Sequence, residues 1–416
     1  MNIITASEFL QYRKKTTSLP LGEVIPIVEK VRECGDSALM EFNRQFDNYS
    51  MPIRNCLYDA HDACEEFTLL KPYIQQASDA IRRFAEKQLK QCCDFSYETF
   101  PGVVCSQRVI PIESAGIYVP AGRYPLVSSV LMGVIPAVVA GVKRIAVCSP
   151  PSKVGVSPLI AATAFYAGAT ECFPVGGAQA IAALAYGTET ISPVDMISGP
   201  GNSYVTAAKK YVYGDVGIDF CAGPTELCII ADESADCTFI AADMVAQAEH
   251  DPNASAVLIT TSRDLADSVL RILNIHIDLL PDPMIARESL EKNGYIVIVD
   301  SVDEACRCAD RMAPEHLSIQ TTDAASTAKQ VSKYGSLFIG YTTAEAYGDY
   351  AAGINHTLPT NGSARFTGGV SVRNFLTFRT TLEMTREGMI QIADTASRLA
   401  CAEGLIGHAN SVKIRR

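Results

Sequence analysis

The sequence predicts an α/β protein made of two doubly wound lobes, preceded by a helical N-terminal region and followed by a short C-terminal tail. From about Ser114, short β-rich runs alternate with helical patterns, and a second alternating series follows that first one. Length agrees: 416 residues with 48% hydrophobic and 19% charged side chains describe a globular chain with room for two or three domains.

The first hundred residues read as helical. "LGEVIPIVEKVRECGDSALMEFNRQF" and "YIQQASDAIRRFAEKQLKQ" carry apolar residues at helical period with charges between them, as a packing layer would. In the first alternating series, "AGIYVP", "RIAVCS", "TECFPVGG" and "VDMISGPG" are strands. "LVSSVLMGVIPAVVAGV", "PLIAATAFYAGA", "AQAIAALAYG" and "NSYVTAAKKYVYG" are the helices between and after them. The second series has the strands "TELCIIAD", "SAVLITTS", "YIVIVDS", "LSIQTT" and "SLFIG". Two such lobes make a cleft between them the natural ligand site. The tail from Ser371 reads as a helix and a polar ending, too short to fold alone, so it docks on its own lobes or on a partner chain.

Charge and composition exclude several classes. A net charge of -11 with no long basic run argues against general nucleic-acid binding. The start, "MNIITASEFLQYRKKTT", lacks the order of a secretory signal, and no apolar stretch is long enough to span a bilayer, so a soluble cytoplasmic protein is expected. The fourteen cysteines are scattered without a CxxC pair, and read as reduced, mostly buried small hydrophobes.

The first lobe lacks GxGxxG. It has instead "VGGAQA" at Val175–Ala180 and "SGPGNSY" at Ser198–Tyr204, each where a strand gives way to a helix. Glycine there lets backbone approach a ligand, and a helix N-terminus offers N–H groups to an anion such as pyrophosphate. Gln179 and Asn202 at the helix starts, with Tyr118 at the end of "AGIYVP", complete a candidate dinucleotide site; simple turn chemistry is the alternative.

Four of the six histidines sit in dense polar contexts: "QAEHD", "APEHL", "GDYAAGINHTLPT" and "AEGLIGHAN". Gln247 and His250, three residues apart, would share one helix face and could reach one ion, or else form a solvated helix end. Asp349 and His356 fall in a Gly-rich irregular segment, and Glu403 and His408 near the C-terminus. Together, two imidazoles, a carboxylate and an amide would suit zinc. Glu315 and His316 differ in being adjacent, after Pro314 at a helix-to-strand connection, where an imidazole can act as general base and a carboxylate can activate water.

As a set, "GGAQAIAALAYGTE", "GPGN", "AGPTE", "QAEHDP", "PEHL", "GDYAAGINHTLPT" and "EGLIGHAN" resemble the histidinol dehydrogenase family in order and spacing, from about Gly116 to His408. The resemblance implies two Rossmann-like lobes of the aldehyde-dehydrogenase type. It also implies zinc-dependent oxidation of L-histidinol by NAD through an enzyme-held histidinal to L-histidine, a four-electron reaction closing histidine biosynthesis. It further implies zinc ligands Gln247, His250, Asp349 and His408, and an acid/base pair Glu315 and His316. Substrate contacts would come from Thr225, His356 and Glu403 along with the zinc ligands, and NAD contacts from Tyr118, Gln179 and Asn202. The tail would cross to the neighbouring subunit of a homodimer, so that His408 and Glu403 complete the partner's site. The corresponding division is an N-terminal helical segment at 1–20, a larger α/β domain from 21–117 plus 226–370, an NAD-binding domain at 118–225 and a tail at 371–416.

One position departs from the family pattern. "AGPTE" has Thr225 where serine is usual, which keeps the hydroxyl and adds a methyl. Relatives acting on other small alcohols, such as a sulfonated diol, share much of the motif set, so that substrate class stays open beside histidinol. A zinc hydrolase would use the ligands and the Glu–His pair but leave both glycine turns idle. A non-catalytic scaffold would need neither.

Overall fold

The computed structural model describes residues 1–11, 19–59, 64–121, 125–153 and 155–416. In the first lobe five parallel strands lie in the order Glu171–Pro174, Arg144–Ser149, Ser114–Tyr118, Met196–Ser198 and Gly217–Ile218. The chain starts in the centre, steps outward on one side, then crosses to the other. The strand order therefore reverses at Tyr118, which is where such sheets bind ligands. Helices Val127–Ala140 and Pro158–Ala167 bury one face of the sheet, and Gly177–Tyr186 and Ser203–Val212 the other. Apart from the Arg144–Glu171 ion pair that opens two of them, the strands are largely apolar because both of their faces are covered.

The second lobe holds six parallel strands in the order Asn2–Thr5, Gly294–Ile298, Ser255–Thr260, Glu226–Ala231, His316–Gln320 and Ser336–Ile339. Helices Cys237–Ala248, Arg263–Asp278 and Pro283–Asn293 cover one face, and Val302–Met312 with the short Ala6–Gln11 covers the other. Every strand and helix expected in the two alternating series is present.

Four features differ from the sequence reading. The N-terminal segment is helical at Ala6–Gln11 as expected, but it opens with the edge strand Asn2–Thr5 paired to Gly294–Ile298. Four residues are too few to display a period, and its position is decided by a partner almost 300 residues away; residues 12–18 of the segment lie outside the described residues. Second, helices Leu21–Phe46 and Glu65–Leu89, grouped in the sequence reading with residues 226–370, bury their apolar faces on the first lobe, against Ile181 and Val205 on one side and Ile135 and Ile160 on the other.

Third, Phe95–Phe100, Val103–Pro111 and Leu376–Met384 form a separate antiparallel sheet that ties the tail to the region before the first lobe. Fourth, the tail beyond it is two helices, Arg386–Ala402 and Ile406–Lys413, not one helix and a polar ending. These bury only Gly388, Ala393 and Ala409, while Ile390, Leu399, Leu405 and Ile406 stay exposed. Among the described residues, no helix is long and apolar enough to cross a membrane.

Candidate active site

The polar cluster assembles at the amino ends of two neighbouring strands in the second sheet. Thr225 and Glu226 begin one strand and Glu315 and His316 the next, with His316 opposite Leu227. Helix Cys237–Ala248 runs back toward the same edge, so Gln247 in its last turn arrives there too. His250 lies beyond that helix, whose cap is Glu249, so Gln247 and His250 do not share a helix face as their spacing implied. The helix stops before Pro252, which disfavours helical backbone in the residue ahead of it.

Hydrogen bonds link these residues in a chain. Gln247 donates from Nε2 to Thr225 Oγ1 at 2.8 Å, and Thr225 donates its single hydroxyl proton to Glu315 Oε2 at 2.7 Å. The Glu226 backbone N–H adds a third link to the same oxygen at 2.9 Å. His316 Nδ1 lies 3.1 Å from the Glu226 carbonyl. A carbonyl only accepts, so Nδ1 carries the proton and Nε2 presents a lone pair. Burial, with the neighbouring His356 and His250 imidazoles, pushes His316 down to about 3, and it is therefore neutral at physiological pH.

Two carboxylates that sequence reading missed belong to this cluster. Glu345 Oε1 is 3.3 Å from His316 Nδ1, and Asp243 accepts from Gln320 Nε2 at 3.0 Å. Burial, and then the charges of Asp349, Glu315 and Asp243, hold the Glu345 carboxyl well above its usual range, and burial lifts Asp243 to about 6. Spacing offered one hint for each: Asp243 lies four residues before Gln247 and Glu345 four before Asp349, one helical turn in both cases. Asp349 itself is on the helix Glu345–Tyr350 and not in an irregular segment, whereas His356 is in irregular backbone as expected.

These residues fit a divalent cation. Gln247 Oε1 and the Nε2 atoms of His316 and His356 are buried with no hydrogen-bond partner among the described residues. Burial lifts the Asp349 carboxyl to about 7, lowers His250, and lowers His356 to about 4. Neutral imidazoles, an amide oxygen and an uncompensated carboxyl form a borderline N/O donor set, which zinc accepts and which contains no thiolate. His316, Glu345 and Asp349 also offer ligand atoms within 4.8 Å of one another. Asp349 is common to this grouping and to the expected ligand set. Glu403 and His408 are exposed on the tail, where they line an approximately 360 Å³ hollow between its own two helices. Within the single chain they are not joined to the cluster by any hydrogen bond or ion pair among the described residues.

In the first lobe, Tyr118 ends the central strand and its phenol accepts the Gly177 N–H at 3.1 Å; burial pushes that phenol up to about 12. Gln179 is buried in the first turn of the helix Gly177–Tyr186. Asn202 caps the helix Ser203–Val212, accepting from the Tyr204 and Val205 N–H groups at 3.0 and 3.1 Å. That helix end is thus partly satisfied by its own cap, not left wholly open to an anion, and the Asn202 side-chain N–H groups add donors there for a ligand. Gly199, at φ +126°, must be glycine, because a Cβ there would lie 2.1 Å from the Tyr118 carbonyl oxygen.

The family model for histidinol dehydrogenase matches residues 11–416. The histidinol dehydrogenase of Methanothermobacter thermautotrophicus is 44% identical over 414 residues, covering 98% of this chain and 96% of that protein. The crystal structure of histidinol dehydrogenase from Elizabethkingia anophelis superposes with a TM-score of 0.93 at 34% identity, over 100% of this chain and 98% of that one. An indole-3-acetaldehyde dehydrogenase, at TM-score 0.51 and 14% identity over 88% of each chain, shares the fold alone. By both sequence and architecture, the chain belongs to the histidinol dehydrogenase family.

Proposed function

We propose that this protein oxidises L-histidinol to L-histidine with two molecules of NAD, in a zinc-bearing site completed by the tail of a second copy, as a cytoplasmic enzyme. The observation that carries the reading is the hydrogen-bonded series Gln247–Thr225–Glu315 beside a neutral His316 whose buried Nε2 has no hydrogen-bond partner among the described residues and lies 4.0 Å from Asp349. Glu315 and His316 then serve as acid and base. His316 Nε2 accepts the alcohol proton as the first hydride departs. Glu315 takes a proton from the water that adds to the aldehyde, and His316 again accepts the hydroxyl proton in the second oxidation.

Gln247, His250 and Asp349 would hold zinc, with His408 arriving from the second copy. The chemistry that zinc supplies when bound is templating, since it orients the substrate's imidazole and amine against the acid/base pair. Thr225, His356 and the second copy's Glu403 would contact substrate. Tyr118, Gln179 and Asn202 would contact NAD, which is consumed as co-substrate. The exposed apolar side chains of the tail helices support a docked tail, since apolar surface of that kind marks an interaction site.

NADH formed per L-histidinol consumed tests the reading, on zinc-loaded protein and after chelation. About two NADH per substrate is expected from the four-electron balance, lost on chelation and restored by zinc. Zinc-loaded protein that forms no NADH from histidinol would overturn it.

A further inference from the structure

The helix Leu21–Phe46 ends at the carboxyl edge of the first sheet. There Asn43 Nδ2 donates to the carbonyl of Pro174, the last residue of the outermost strand, at 2.8 Å. Asp47 follows as the helix cap, and its capping is done entirely by backbone, the N–H reaching Asn43 O at 3.0 Å. The Asp47 carboxylate takes no part: among the described residues it has no hydrogen bond or ion pair, and its Oδ2 is buried. Two further buried polar atoms at this edge lack partners among the described residues, Asn43 Oδ1 and Ser149 Oγ, the latter at the end of the strand that pairs with Glu171–Pro174. Tyr118 is near enough for the Asp47 charge to raise its phenol.

Stability does not explain this carboxylate. It sits at the carbonyl end of a long helix, where the helix dipole repels negative charge, and partial burial without a partner adds to the cost. A group that both terms disfavour, at the carboxyl edge of a sheet whose strand order reverses at Tyr118, points to a ligand.

We propose that Asp47 accepts hydrogen bonds from the ribose hydroxyls of the adenosine half of NAD and, by its charge, rejects a 2′-phosphate. The inference rests on the reading that the first lobe binds NAD, and the strand order decides which half lies here. The chain passes to the second lobe after Gly217–Ile218, the edge strand on the Met196–Ser198 side, so the nicotinamide must lie on that side to reach His316. Asn43, one helical turn before Asp47, is bonded to Pro174 on the opposite side, so this helix end lies where the adenosine would fall. A carboxylate there holds vicinal hydroxyls and repels the extra phosphate of NADP.

The test is steady-state kinetics of the zinc-loaded enzyme at saturating L-histidinol with NAD or NADP varied, on Asp47→Ala and Asp47→Asn, alongside thermal melts. Asp47→Ala is expected to raise KM for NAD roughly ten- to a hundredfold, the worth of hydrogen bonds to a charged acceptor. KM for histidinol should stay unchanged. Asp47→Asn should narrow the NAD-over-NADP preference while melting no lower than the parent, since it removes a charge that the helix end disfavours. A merely structural Asp47 would instead lower the melt and leave the preference intact, which overturns the proposal. Asn202→Asp keeps the helix cap but loses the amide donor, and it separates the two readings. If it raises KM for NAD while both Asp47 variants do not, Asp47 is not a ribose acceptor; if none of the three changes KM for NAD, the dinucleotide reading falls as well.

Discussion

Thr225 stands 2.7 Å from Glu315, donating its hydroxyl proton to Oε2 while accepting the Gln247 amide at 2.8 Å. One side chain thereby orients both a proposed zinc ligand and the proposed general base. Thr225→Ser keeps this double role and should hold kcat within about threefold of the parent, because only a methyl is lost. Thr225→Val keeps the shape and strips the hydroxyl, and should lower kcat about ten- to a hundredfold, measured as NADH formation. Parent-like turnover in the Val variant would remove Thr225 from this role.

Metal binding should depend on pH with a definite sign. Burial holds Asp349 at about 7 and Asp243 at about 6 without metal, against about 4 in an unfolded chain. Carboxyls raised in this way favour the fold below the unfolded value, and that contribution is lost as pH climbs through their folded values. Zinc would bind the ionised Asp349 and compensate the loss. The rise in melting temperature on adding zinc to chelated protein should therefore be larger at mildly alkaline than at mildly acid pH. A zinc-induced rise that shrinks with increasing pH would contradict this account.

A buried ion pair supports the glycine turn around Gly199. Lys209, 2% exposed, pairs with Asp219 and donates to Gly199 O at 2.9 Å, while Asp219 accepts the Gly199 N–H at 2.8 Å. Both ends of the glycine whose φ is +126° are thus held. Lys209→Met should cost about 3–5 kcal/mol in urea denaturation, because it leaves a buried carboxylate without its cation. The double variant Lys209→Met with Asp219→Asn should recover much of that stability. A single variant as stable as the parent would show that the pair contributes nothing.

The proposed exchange of tails between subunits has a direct assay. His408→Ala and Glu315→Gln should each be inactive as homodimers, since each removes a group proposed to serve every site. If His408 serves the neighbouring subunit, mixed dimers contain one site with both groups intact. Unfolding and refolding equal amounts together should then restore about a quarter of parent activity by random pairing. No recovery, with mixed dimers demonstrated by mass spectrometry, would mean that each tail serves its own subunit.

Most of the two sheets was legible in the sequence because strands buried on both faces are short apolar runs, and the helices between them are punctuated by Gly and Pro. The edge strand Asn2–Thr5 and the antiparallel sheet of Leu376–Met384 were not. Their residues are mostly exposed, so burial leaves little pattern in them, and their pairing partners lie far away in the chain. Local motifs likewise exposed Glu315, His316, Gln247 and Asp349, whereas Glu345 and Asp243 lie outside those motifs, one helical turn before Asp349 and Gln247.

The sequence by itself determined the α/β class, the two lobes, the glycine turns and the family, since these depend on periodicity and on motifs a few residues long. Only the tertiary structure decided which side chains meet. The Thr225–Glu315 bond, the His316 tautomer, the raised carboxyls of Asp349 and Glu345 and an Asp47 without a hydrogen-bond partner among the described residues all depend on burial and on contacts between distant segments. Desolvation and hydrogen-bond geometry have no signature in a linear chain, because both are set by what packs around a group and not by what precedes it.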